Sequence, residues 1–370
     1  MSRSSMPRWW PFLPDSLGLL AAVLAVALPL SATVPAQAAD LAAGARLYAD
    51  HCAMCHGATG RPGPDSPVAA ALDPPPADLS DPLFNSREPA PDWAMVISHG
   101  GHAMGLSAQM PAQGGVLTAA QVRDVVAYVK SLADTTGYPP GELNYFLALR
   151  TRKAFPEDEV VWKLRHTSRD GVDELRNVLE VEKRVGRRGQ LIAELVHADD
   201  GRTSRAREVQ LGYKHVLGWN LQRASILSGS LVLAVPLEGD RSLALQPSLA
   251  WARAWSDRWI LQGSARAVLP LDDLDLGEVE VAAALHHRWT PWPRRVFPGV
   301  ELVARTPFLS GEGDRMQWSV LPQVRIGLTR GGHVALNIGI EAPLSDQDWD
   351  WRGHMVLLWD FADGSLFKGW

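Results

Sequence analysis

The sequence predicts two folds in series: a small all-α domain, then an antiparallel transmembrane β-barrel of about twelve strands. Three observations carry this reading. A single Cys52-Ala53-Met54-Cys55-His56 run lies near the N-terminus among segments of helical periodicity. Strict apolar–polar alternation replaces that periodicity after residue 158. Tryptophan is over-used, 15 against 5 tyrosines and 8 phenylalanines, and most of it follows residue 150. Indole favours places that are apolar at one end and wet at the other, membrane interfaces among them. The net charge of −5 and the lack of any basic block exclude a nucleic-acid partner.

In chain order, residues 1–38 read as a signal peptide. Arg3 and Arg8 give the positive start, Leu17 to Leu30 the apolar stretch, and Ala36-Gln37-Ala38 the small-x-small cleavage site. The apolar stretch is shorter than the ~20 residues of a spanning helix and contains Pro29. Export is therefore expected.

Residues 40–136 form the helical domain. Asp40 to Tyr48 reads as a short helix leading into the cysteine motif. C-x-x-C-H is the attachment pattern of a c-type haem. Two thiols one helical turn apart can each form a thioether to one porphyrin edge, and the next histidine then falls beneath the ring to bind iron. Cys52 and Cys55 are the only cysteines, so neither a disulfide framework nor a four-ligand zinc site is available. One covalently bound haem c follows, with His56 as an iron ligand. A proline-rich loop comes next (Pro62, Pro64, Pro67, Pro74-Pro75-Pro76) and is expected to wrap the haem. Thr118-x-x-Gln121 is a capping box, and Val122, Val125, Val126, Val129 and Leu132 then recur at helical spacing. Four methionines fall here, Met54, Met95, Met104 and Met110, of which Met54 lies inside the haem motif and points wrongly; a His99-Gly100-Gly101-His102 run reads as a glycine-rich loop beside the haem.

This order of helix, C-x-x-C-H, loop, Met-Pro and C-terminal helix resembles the class I c-type cytochromes. The resemblance implies that Gly44 and Tyr48 of the first helix pack on the last. It also implies that Met110, before Pro111, is the sixth iron ligand; Met104 is the alternative, and then His99 or His102. Iron with six ligands has no open position for substrate, so the implied role is to carry single electrons rather than classical enzymatic turnover. The domain also has more acidic than basic residues, a surface that could receive a basic redox partner.

Residues 137–157 form a linker. Gly137, Pro139, Pro140 and Gly141 interrupt regular structure, and Leu143 to Arg150 reads as one or two helical turns.

Residues 158–370 form the barrel. Met316, Trp318, Val320, Pro322, Val324 and Ile326 alternate with more polar neighbours, as do Val334, Leu336, Ile338 and Ile340, and Val279, Val281, Ala283 and Leu285. Further faces are Leu227, Leu231, Leu233 and Val235; Leu179 with Val181; and Val160, Trp162 and Leu164. Strands of roughly ten residues cross an outer membrane when tilted. Trp219, Trp251, Trp255, Trp259, Trp289, Trp292, Trp349, Trp351 and Trp359 gather at strand ends, as interfacial girdles do. The tight links at 186–189, 256–257 and 329–332 fall on one side. Longer, acidic links such as those at 272–275 and 345–350 fall on the other, and only the link from Thr290 to Pro298 breaks the sorting. Short periplasmic turns and longer outer loops are the bacterial pattern. Glu280, Glu301, Arg305, Arg325 and Glu341 would face the lumen, pairing with one another and filling it. The last strand, with Met355, Leu357, Trp359 and Phe361 on one face, resembles the terminal strand of bacterial outer-membrane barrels.

The domain order resembles fused monohaem cytochrome–porins. That resemblance implies a haem domain in the periplasm at the barrel mouth and a cell outer-membrane location, with the lipid bilayer and a redox partner protein as contacts. Two functions stay open. Electrons pass to or from an extracellular donor or acceptor such as a metal ion, gathered by Asp272, Asp273, Asp275, Glu312, Asp314, Asp346, Asp348 and Asp350. Alternatively, the barrel is only an anchor or solute pore for a periplasmic carrier.

Overall fold

The computed structural model describes residues 39–370 except 64–65, 67, 171, 239–241, 291–295, 308–315, 363–365 and 367–370. The signal segment, Trp292, Glu312 and Asp314 lie outside the described residues.

The helical part contains α1 (Leu41–His51), α2 (Ala53–His56), α3 (Pro82–Arg87), α4 (Ala90–Ala103) and α5 (Ala119–Ser131). α1 starts where the Asp40 side chain accepts from Ala43 N at 3.0 Å, and it runs three residues beyond the sequence expectation. Its crossing with α5 needs a glycine, because a Cβ at Gly44 would overlap the Asp124 carbonyl oxygen. One turn on, the Tyr48 and Tyr128 rings meet at 5.3 Å. The first-to-last helix packing implied by the resemblance is thus present. Leu41, in the first turn of α1, is 52% exposed. α5 carries both halves of the Thr118–Gln121 capping box and buries Val122, Val125, Val126 and Val129. The expected order places only loop between the haem motif and Met110-Pro111, and α3 and α4 lie within it. Proline suits the first turn of a helix, where its missing N–H costs nothing. Asp81 caps α3 ahead of Pro82, and α4 carries a proline in its first turn.

Twelve strands follow: β1 (Glu159–Ser168), β2 (Glu174–Val185), β3 (Gly189–Asp199), β4 (Ser204–Asn220), β5 (Ser225–Pro236) and β6 (Ala244–Ala254). The second half is β7 (Trp259–Pro270), β8 (Glu278–His287), β9 (Val296–Pro307), β10 (Gln317–Gly327), β11 (Val334–Pro343) and β12 (Trp351–Asp360). Each pairs antiparallel with its neighbours in sequence. β1 pairs with β12 from Glu159↔Asp360 to Ser168↔Trp351, which closes the sheet into a barrel. Closure leaves no unpaired strand edge. The alternation resolves as read. Glu180, Lys214, Gln262, Glu301, Gln323 and Glu341 are buried inside, whereas Leu179, Leu211, Leu249 and Ile340 are about half exposed outside. The links at 186–188, 221–224, 255–258 and 328–333 share the end at which the chain enters β1, here the near end. Trp251, Trp255, Trp259 and Trp359 ring that end, and Trp351 lies at the far end. Two girdle assignments need correction. Trp219 packs on an internal apolar cluster with the Arg188 guanidinium 4.7 Å from its ring, and Trp349 is buried with Arg352 4.0 Å above its ring.

The linker departs most from expectation. Only Gly141–Leu143 forms a helical turn, of the 3-10 type. The chain then enters the barrel, turns near Arg150, and returns to start β1. Side chains from around the whole wall grip its backbone. Gln262 of β7 donates to Phe146 O at 2.8 Å, and Asn337 of β11 donates to Leu147 O. Lys214 of β4 reaches Phe155 O at 3.3 Å, and Gln190 of β3 accepts from Glu157 N at 2.7 Å. Toward the near end Leu143, Tyr145, Phe146 and Phe155 pack with Val216, Ile226, Ile260 and Phe297. Each large side chain so buried contributes about 1.5–3 kcal/mol, which offsets the ordering of an otherwise irregular segment. At the turn, Arg150 pairs with Glu280 and Glu341.

The helical part is fastened to the near end. Arg188 Nε donates to Gly137 O at 3.2 Å, Arg87 Nη2 donates to Ala362 O at 3.1 Å, and Arg87 faces Asp158 at 3.9 Å. Glu142 joins the linker to the helices by accepting from Ala90 N at 3.2 Å and pairing with Lys130 at 3.1 Å.

Candidate haem site

The cysteine motif occupies one helical turn, ended by Gly57 at φ +76°. The turn sets Cys52, Cys55 and His56 on the wall of an apolar cavity. Tyr48 donates its hydroxyl to Gly57 O at 2.7 Å and so ties α1 to the end of the motif. Burial pushes this phenol above its ordinary pKa, which keeps the donor protonated. Both thiols are free, and burial, with Cys55 adding to it, pushes Cys52 up to about 11.

His56 Nδ1 lies 3.2 Å from the carbonyl oxygen of Ala77. With Nδ1–H donating there, Nε2 carries the lone pair, the arrangement an imidazole ligand requires. Burial lowers the ring pKa, the Ala77 carbonyl partly opposing it, so the imidazole stays neutral. The proline-rich stretch therefore does more than wrap. Pro74-Pro75-Pro76 delivers the carbonyl that orients the ligand, a role visible only once the fold brings the two segments together.

Met110 and Met104 also line the cavity. The loop carrying Met110 is pinned to α4: Gly101 N donates to Met110 O at 3.0 Å, Gln113 N to Ile97 O at 2.9 Å, and Gly114 N to Ser98 O at 3.0 Å. A glycine is needed at 100, where φ is +75° and a Cβ would lie 2.9 Å from Met110 O. The run read as a glycine loop beside the haem is thus the kinked end of α4. Met110 packs against the apolar cluster that includes Trp93, Ile97 and Val125. Met104 is directed to the barrel, where a Cβ on Gly331 would lie 3.4 Å from its methyl carbon. His99 and His102 are exposed and do not line the cavity, and Met54 is 63% exposed.

These residues fit a covalently held haem. Two free thiols and a neutral imidazole share one wall, and Leu79, Phe84, Ile97 and Val129 supply apolar surface. Trp93 Nε1 is buried in the same cavity with no hydrogen-bond partner among the described residues. A buried donor of this kind calls for an acceptor, and a haem carries two carboxylates. Sequence reasoning missed Trp93. The signal available was an indole four residues before Ile97 on one helical face.

Residues 41–133 match the family model Cytochrome c. Among solved structures, the KdgM porin in complex with disordered oligogalacturonate aligns with 11% identity and a TM-score of 0.40, covering 54% of this chain and 98% of that one. The NanC porin aligns with 6% identity and a TM-score of 0.41, over 54% and 98%. The P. putida toluene transporter TodX aligns with 9% identity and a TM-score of 0.32, over 55% and 78%. No curated protein matches the chain significantly. The helices that carry the thiols and the imidazole are therefore a cytochrome c domain, and the chain is that domain followed by a closed antiparallel barrel of twelve strands.

Proposed function

We propose that the chain is a monohaem c-type cytochrome of the outer membrane that exchanges single electrons with a periplasmic redox partner, its barrel acting as holder rather than pore. Cys52 and Cys55 would form the thioethers, and His56 and Met110 the axial ligands. The haem supplies a one-electron ferric–ferrous couple when bound. The chain's own residues fix its surroundings: Ala77 orients His56, Gly100 and Gly101 set the Met110 loop, and Trp93 offers a donor.

The observation that carries the reading is the occupied lumen. Residues 144–158 fill the barrel from the near end, and their contacts come from strands all around the wall. A solute pore needs that space empty. The membrane assignment is supported by the outer face, where Leu211, Leu249 and Ile340 are 54%, 52% and 61% exposed. A continuous apolar belt of this kind suits lipid rather than water. The near end, with its short turns, would then face the periplasm.

One observation favours the extracellular-donor reading. Asp272, Asp273, Asp275, Asp346, Asp348 and Asp350 all lie in far-end links, where they would attract cations. Whole cells separate the two. A membrane-impermeant oxidant or reductant should leave the haem unchanged in intact cells and titrate it only after the outer membrane is opened. A response of equal rate in intact cells would overturn the periplasmic reading in favour of the donor outside.

Met110→Ala is expected to remove a thioether-to-iron absorption band and lower the reduction potential, since thioether ligation raises it. An unchanged spectrum would move the assignment to Met104.

A further inference from the structure

We infer that the β10–β11 turn of the barrel builds one wall of the haem pocket, and that His333 is a haem contact supplied by the barrel rather than by the cytochrome domain. The inference rests on the haem reading above. Gly331 and His333 line the same cavity as Cys52, Cys55 and His56. His333 is 3% exposed and held in place. Its Nδ1 lies 3.3 Å from Thr329 Oγ1, and its backbone oxygen accepts from Asp360 N at 2.8 Å. Met104 meets the same turn and closes the seam between the two folds.

Behind His333 lies a second, smaller cavity that it also lines, bounded by Lys153, Glu157, Glu159, Arg325 and Asp360. His333, together with Glu88, Asp92 and Gly331, thus lies between the haem pocket and the ionisable groups at the near end of the barrel. Ferric haem carries one more positive charge than ferrous haem, so the polarity of this wall bears directly on their balance. The barrel therefore sets part of the reduction potential.

The test is spectroelectrochemical titration of the full chain in detergent. His333→Leu makes the wall apolar and should lower the ferric share at fixed poise about three-fold, through the local dielectric. Gly331 is partly exposed and its φ is not positive; a Cβ there would lie 3.3 Å from His333 Nδ1 and 3.4 Å from the Met104 methyl, so a side chain is accepted with a shift of a few tenths of an ångström in the flexible Met104 and the His333 ring. Gly331→Asp should raise the ferric share and Gly331→Lys should lower it, each about three-fold, because charge beside the pocket acts with its sign. A purely structural role would not give opposite signs. Should His333→Leu lose the heat-modifiable gel mobility of a closed barrel, the Gly331 pair decides alone. Ratios equal to the unmodified chain in every assembled variant would overturn the inference. A chain without covalent haem would instead overturn the reading beneath it.

Discussion

Glu301→Leu is expected to release the inserted segment and turn a closed barrel into a conducting one. The Glu301 carboxylate is fully buried and accepts from Leu149 N at 2.8 Å, Arg150 N at 3.0 Å, Thr151 N at 2.6 Å, Thr151 Oγ1 at 2.7 Å and Gln323 Nε2 at 2.7 Å. Leucine matches its bulk roughly and satisfies none of these donors. An orphaned buried donor costs about 1–3 kcal/mol, so the turn at Arg150 loses several kcal/mol of support. Tenfold in an equilibrium corresponds to about 1.4 kcal/mol. Tryptic cleavage after Arg150, Arg152 or Lys153 should therefore speed up by more than about ten-fold, and planar bilayers should show ion-conducting steps absent from the unmodified protein. A variant that keeps its barrel mobility yet neither conducts nor is cut faster would show that the segment is held by something other than this carboxylate.

The second large effect is at the thiols. Replacing Cys52 and Cys55 together with serine is expected to abolish covalent haem completely, read as loss of peroxidase staining on a denaturing gel. Serine can form no thioether, and the haem would be left to its axial ligands alone. The barrel should still assemble, because both cysteines belong to the helical cluster of Tyr48, Trp93 and Val125 or to the cavity beside it. Covalent haem persisting in the double variant would remove the basis of the site.

Much of this molecule was legible in its residues. Cys52, Cys55 and His56 announce their chemistry because the spacing is itself the geometry. The strands announce themselves because a half-buried strand must alternate, and Leu179 beside Glu180 or Ile340 beside Glu341 leaves one face for each environment. The inserted segment was not legible. Tyr145-Phe146-Leu147-Ala148-Leu149 has no period that marks a lumen, and its partners Gln262, Glu301 and Asn337 lie more than a hundred residues away. Their inward direction was readable, but pairing among wall residues explained it equally well. Both hold: Glu280 pairs with Arg266 and Glu341 with Arg352 and His354 of the wall, while Glu280, Glu301 and Glu341 also serve Arg150 or its neighbours. His333 was hidden for a related reason: it sits in a tight turn, and only docking makes a turn residue part of a cofactor pocket.

The course of residues 144–158 has a topological consequence. Both limbs enter and leave through one opening, so the segment is a looped finger and not a thread passed through a ring. No strand pairing has to open for it to be withdrawn. What keeps the barrel shut is therefore side-chain chemistry alone, and because the finger is continuous with the cytochrome, any pull on that globule bears directly on the stopper.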